Sequence, residues 1–164
     1  IPSHEVYNID LIKKSCENFE KIFISVGACE WKEFNDILNS GIDLKKVYFM
    51  HCVSSYPLSE ENVNFPKLLK IKKAHNQIGY SGHLKGIEDA IAAISFGAMI
   101  VEKHFTIDND LPGRDNKFAL LPSEMKSISN YRDIFSKMNI DKGLNVQECE
   151  MDIYKNYRGR WSKN

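Results

Sequence analysis

The sequence carries no excess charge of either sign: 22 Lys and Arg are matched by 22 Asp and Glu across 164 residues. A balanced chain with no dense Lys/Arg block lacks the electrostatic footprint of a nucleic-acid binder. No apolar run approaches the ~20 residues needed to cross a bilayer, so no membrane partner is expected. No signal peptide opens the chain, which starts Ile1-Pro2-Ser3-His4-Glu5 without an initiator Met, as a piece of a longer product would. The four cysteines, Cys16, Cys29, Cys52 and Cys149, show no CxxC pairing. Cys29 and Cys52 end apolar runs, where buried free thiols are common. A chain of this size needs no disulfide staples, and the reading is a cytoplasmic protein with reduced thiols.

What is present is 43% hydrophobic residues, enough for one sizeable core. They are arranged as apolar strand, polar corner and helix, repeated. Strand-like runs fall at Lys21–Val26, Lys46–Val53, Gln77–Ser81 and Ala98–Phe105, and Ile1-Pro2-Ser3 reads as the stub of an earlier strand. Helical periods fall between them, at Ile9–Asn18, Glu30–Asn39, Asn62–Lys73 and Ile87–Phe96, with a further helix from about Ser123 to Met138. In the second, Trp31, Phe34, Ile37 and Leu38 share one face, and Gly41 follows as a C-terminal stop. Strands separated by helices imply parallel pairing, because a right-handed crossover needs an intervening helix. The fold class is α/β. Residues 1–140 form the globular part, and 141–164 read as a polar extension or linker without clear period.

Parallel α/β folds place ligands at the carboxyl ends of their strands. Those ends read Ser3-His4-Glu5, Ser25-Val26-Gly27, His51 to Pro57, Gly79 to His83 and Glu102 to Phe105. Hydroxyls and glycine corners offer donors for a phosphate. Two imidazoles on neighbouring strands, His83 and His104, can ligate one divalent ion with positions left open for substrate. Each feature has a plainer reading: a strand-end serine is usually a cap, and a lone histidine is usually a satisfied polar residue. His51, inside an apolar run, reads as structural. Glu102-Lys103 in a strand is costly unless partnered or functional. His75 and the Lys70–Lys73 cluster read as a solvated helix face.

The segments IPSHE, ISVGA, HCVSSYP, IGYSGH and EKHFT…LPGRDNKFAL, in this order over about residues 1 to 135, resemble the sialic acid synthase family of N-acetylneuraminate, legionaminate and pseudaminate synthases. The resemblance implies a (β/α)8 TIM barrel of which this chain supplies about strands 4–8. It further implies condensation of phosphoenolpyruvate with an N-acylated amino sugar, with Mn²⁺ or a similar ion. His83 and His104 fall on the family's metal ligands. Ser3, Ser25, Ser54 and Ser81 fall where phosphoenolpyruvate is held. Tyr56 and Asp115 align with positions that meet the acceptor sugar. Glu5 matches a carboxylate associated with proton handling, and Glu102 sits on the glutamate of the E-[KR]-H-F motif, its catalytic role open.

Three departures stand out. The family's S-D-H reads Ser81-Gly82-His83, so a carboxylate beside a metal ligand is lost. Its S-T-G reads Ser25-Val26-Gly27, which removes a hydroxyl. The family's lysine before I-x-S would lie upstream of Ile1. A barrel lacking its first strands exposes two parallel edges and an apolar interior. The isolated chain is therefore expected to be inactive, and poorly stable, homo-oligomeric or completed by another polypeptide. A non-catalytic relative that binds a sugar or phosphate, and an open α/β sheet whose serines are only caps, are the competing readings.

Overall fold

The computed structural model describes residues 1–162, in which strands and helices alternate as the sequence pattern demands. In chain order the elements are α1 (Ile9–Asn18), β1 (Ile22–Ser25), α2 (Trp31–Leu38), β2 (Val47–His51), α3 (Phe65–Ala74), β3 (Ile78–Gly82), α4 (Glu88–Ser95), β4 (Ile100–Lys103), α5 (Pro122–Met138) and α6 (Met151–Asn156). The four strands pair in parallel in the order β1-β2-β3-β4. They form a curled partial (β/α)8 barrel with the helices between them.

Register decides which side chains share a face. Ile24, Phe49 and Ile78 are partners across three strands and are essentially unexposed. They pack against Ile12 and Cys16 of α1, Phe34 and Ile37 of α2, and Leu68 and Ile71 of α3 in one continuous core. The Phe34 and Phe49 rings meet edge-on at 4.8 Å. The alternate residues, Ser25, Met50, Gly79 and Ile100, form the next row on the opposite, concave face. Gly79 leaves the room that Met50 fills, for a Cβ there would come within 2.8 Å of Met50 Cε and 3.0 Å of the Ile100 carbonyl.

Local chemistry sets the element ends. Glu30 and Glu33 form a reciprocal capping box at the start of α2, and Gly41 follows its end at φ 80°. Helix α3 starts three residues later than the periodicity predicts, at Phe65, because Asn64 is left-handed (φ 54°) and Pro66 occupies the first turn. Lys46 belongs to a 3-10 turn, Leu44–Lys46, and not to β2. The predicted stub is partly right. Ile1 bonds to β1 as a parallel neighbour, its amine donating to the Phe23 carbonyl (2.6 Å) and its carbonyl accepting from the Ser25 N–H (3.0 Å). The chain then turns into a 3-10 segment, Ser3–Glu5, which ends the pairing.

Two other sequence readings are corrected. His75 is half-buried at the end of α3, its Nε2 2.9 Å from the Val47 carbonyl and its ring edge-on to Phe49. Residues 141–164 contain a helix, α6, where no period was legible. Contacts divide the chain into Ile1–Asp133 and Ile134–Asn164. The second unit includes α6, with the Arg158 guanidinium 4.6 Å above the Tyr154 ring. No helix among the described residues is long and apolar enough to cross a membrane. The cysteines are free, with Cys16 and Cys52 buried.

Candidate active site

The concave face opens at the strand ends into a cavity of about 670 Å³. Its lining includes Ser3, Ser25, Cys52, Tyr56, Ser81, His83, Glu102, His104 and Asp115. Nine of the ten residues nominated from sequence thus line one cavity or are bonded to its lining, brought together from strand ends and loops far apart in the chain. Ser81 and Glu102 are register partners, and the serine hydroxyl donates to Glu102 Oε1 at 2.7 Å. Glu102 is exposed to this space, so the charge that looked costly in a strand is not buried.

His83 and His104 leave β3 and β4 side by side, their ring centroids 5.5 Å apart. His83 Nδ1 lies 2.9 Å from the Val53 carbonyl, which leaves Nε2 as its unengaged nitrogen. His104 Nδ1 faces Asp115 Oδ2 at 3.6 Å. A carbonyl or carboxylate on one nitrogen fixes the tautomer and orients the other toward a ligand. The backbone is held as well: Leu58 N–H donates to the His83 carbonyl (3.0 Å), and Leu120 N–H to the His104 carbonyl (2.8 Å). Burial, reinforced by the neighbouring His104 and Lys103, lowers the pKa of His83 and keeps its ring neutral, the form a metal requires. Tyr56 covers the pair, its ring 4.2 Å from His83 and 6.0 Å from His104, and burial raises its hydroxyl pKa.

Ser3 and Ser54 share a hydrogen bond of 2.8 Å, which ties exposed Ser54 to the lining although it is not itself a lining residue. Gly27 lies beneath them, where a Cβ would come within 2.6 Å of Cys52 Sγ and 3.2 Å of Ser3 Cβ. Its turn is braced by Lys67, whose ammonium donates to the Val26 (2.8 Å) and Cys29 (3.3 Å) carbonyls on either side of left-handed Ala28 (φ 45°). Glu5 stands apart from the lining, its carboxylate accepting from Asn8 Nδ2 at 3.2 Å. His51 is structural, fully buried with Nε2 2.8 Å from the Val63 carbonyl.

Sequence reasoning missed Cys52 as a lining residue and missed the partner of Lys103. That lysine is buried against Asp89 of α4, Nζ 2.9 Å from each carboxylate oxygen. The sequence signal was the charged pair Glu102-Lys103 in a strand, costly unless partnered or functional. At position 82, where the resemblance calls for a carboxylate, Asp89 Oδ2 fills the space that a Cβ would take.

Among the described residues no group of three metal-ligating side chains forms. Two neighbouring imidazoles, each with its Nδ1 facing an oxygen, nevertheless suit an open divalent site whose other ligands come from substrate or water.

Parallel strands, crossover helices and a polar cavity at the strand ends define a partial β/α-barrel unit. The match to the NeuB family over residues 1–141 makes the chain a member of that family. It is 35% identical over 133 residues to the N,N'-diacetyllegionaminic acid synthase of Campylobacter jejuni, covering 78% of this chain and 40% of that one. It is 32% identical over 161 residues to the N-acetylneuraminate-9-phosphate synthase of Drosophila melanogaster, covering 88% and 43%. The crystal structure of the sialic acid synthetase from Leptospira borgpetersenii superposes with a TM-score of 0.85 at 30% identity, over 100% of this chain and 58% of that one. The chain spans about two fifths of the length of its curated relatives, 40% and 38% of two legionaminic acid synthases.

Proposed function

We propose that this chain forms the carboxy-terminal side of the barrel in a sialic-acid-type synthase. The enzyme condenses phosphoenolpyruvate with an N-acylated amino sugar to a nine-carbon 2-keto acid and releases phosphate. The observation that carries this reading is the His83–His104 pair, 5.5 Å apart with both Nδ1 atoms facing acceptors. Their Nε2 atoms would hold a divalent cation, Mn²⁺ in our reading, which would supply Lewis-acid polarisation of the acceptor aldehyde.

The remaining chemistry belongs to substrate and side chains. C3 of phosphoenolpyruvate attacks the aldehyde carbon, water adds at C2, and the tetrahedral centre collapses with C–O cleavage to expel phosphate. Ser3, Ser25 and Ser81 offer hydroxyls along one wall for the phosphate and carboxylate, and Ser54 orients Ser3 through their hydrogen bond. Glu102, held by Ser81, stands where a carboxylate can take a proton from the attacking water. Tyr56 and Asp115 border the histidines on the side assigned to the acceptor sugar. Glu5 needs a rotation away from Asn8 to handle protons. The free thiols suit a reducing compartment, and we assign the reaction to the cytoplasm. The β1 and β4 edges are the places where a further barrel portion or a second copy completes the sheet.

Calorimetric titration of the chain with Mn²⁺ tests this. One equivalent is expected to bind, and His83→Ala and His104→Ala are each expected to abolish binding. A folded chain whose affinity is indifferent to both substitutions would sink the assignment.

A further inference from the structure

Behind the two histidines, on the helix-facing side of the sheet, lies a buried polar cluster that the proposed chemistry does not use. The Lys103 and Asp89 side chains are 2% and 0% exposed. The ammonium donates to both Asp89 oxygens (2.9 Å each) and to the Leu84 carbonyl (2.6 Å). Tyr80, itself buried, donates its hydroxyl to Asp89 Oδ2 at 3.0 Å, and the Ala90 N–H donates to Oδ1 at 2.8 Å. A buried ion pair gains little stability over apolar side chains of the same volume. Its placement therefore calls for another account.

Connectivity supplies one. Lys103 immediately precedes His104, and Leu84 immediately follows His83. The ammonium consequently ties the chain beside one imidazole to the chain beside the other. Asp89 anchors that ammonium to α4, which starts just after the His83 corner. Gly82, register partner of Lys103, has no side chain, and a Cβ there would lie 2.9 Å from Lys103 Cδ and 2.6 Å from Tyr80 Cε1. The tie closes only because position 82 is empty.

We propose that Lys103 and Asp89 are positioning residues that set the separation of His83 and His104. This rests on the reading of those histidines as metal ligands. The testing variant is Tyr80→Phe/Asp89→Leu/Lys103→Met, which replaces the cluster with apolar groups of similar volume. It separates positioning from mere stability, since a structural role alone is satisfied by such packing. Two readouts are needed on the 164-residue chain. The first is the ring-to-ring proton NOE between His83 and His104 in metal-free protein, with the Phe34–Phe49 pair as internal control. The second is Mn²⁺ affinity by calorimetry.

The expected result is a folded variant that keeps the Phe34–Phe49 contact, loses or weakens the histidine contact, and binds Mn²⁺ about tenfold or more weakly. A folded variant with the histidine NOE intact and affinity within twofold of the parent overturns the proposal. If the triple variant does not fold, Asp89→Asn serves, because its amide gives up one of the two bonds to Lys103; an unchanged NOE and affinity there also overturn it. A folded parent that shows the histidine contact but binds no Mn²⁺ overturns the metal reading instead, and the NOE comparison alone then decides the positioning.

Discussion

Adding one methyl group at position 82 brings two opposed effects together. Gly82 lies in β3 without positive φ, so Gly82→Ala restricts the unfolded chain and should by itself stabilise by about 0.4–1 kcal/mol. Against this, the new Cβ meets Tyr80 Cε1 at 2.6 Å and Lys103 Cδ at 2.9 Å, and overlaps Asp89 Oδ2. None of the three can retreat cheaply. Tyr80 is 1% exposed, and Asp89 cannot shift without lengthening its bonds to Lys103 and Tyr80. Overpacking costs roughly 1–3 kcal/mol, and weakening a charge-assisted buried hydrogen bond adds about 1.5–3 kcal/mol. Sterics win: the net effect is a loss of roughly 1.5–5.5 kcal/mol, or a fall in Tm of roughly 3–20 °C for a chain of this size. Gly82→Asp should cost more, because it sets a second carboxylate against Asp89. Urea and thermal unfolding followed by circular dichroism give the answer. A Gly82→Ala chain as stable as the parent would refute the packing described around Lys103.

Other outcomes follow from the same structure. Phe49→Ala removes a fully buried ring that meets Phe34 and His75, and should cost about 3–5 kcal/mol in urea unfolding. His51 has its pKa lowered, chiefly by burial, so the unfolded chain binds a proton more readily than the folded one. Stability is therefore full above the ordinary value of 6.5 and declines as pH falls below it, and His51→Gln should flatten that decline in unfolding curves taken from pH 7.5 to 5. Ser81→Ala frees Glu102 from its 2.7 Å bond at the exposed cavity wall. It should change stability by no more than about 1 kcal/mol while weakening phosphoenolpyruvate binding, measured by calorimetry in the Mn²⁺-loaded protein.

Much of the fold is legible in the sequence because one physical rule, burial on the helix-facing side of a parallel strand, leaves a local trace. Apolar runs such as KIFISV and KVYFMHCV must be strands if helical periods separate them, and crossovers then force parallel order. Polar residues at strand ends gather in the same way, since all parallel strands end on one side; Ser25, Ser81, His83 and His104 meet for that reason. Position along a strand thus predicts membership of the site. It does not predict distance. The hydrogen bond between Ser3 and Ser54, 51 residues apart, is set by how loops close against one another.

Charge partners show the limit most clearly. The sequence shows Glu102-Lys103 as a charged pair in a strand, costly unless partnered or functional, and Gly82 as a carboxylate lost. Only tertiary structure brings Asp89 from the first turn of α4 into the room Gly82 leaves empty. The physical reason is that electrostatic pairing acts through space, where neither period nor spacing along the chain records it. Hydrophobic alternation is written residue by residue, and so the strands, their order and the end that opens into the cavity were determined by the sequence itself. The separation of the two imidazoles, and the cluster that stands behind it, were decided by the packing of α4 against β3 and β4.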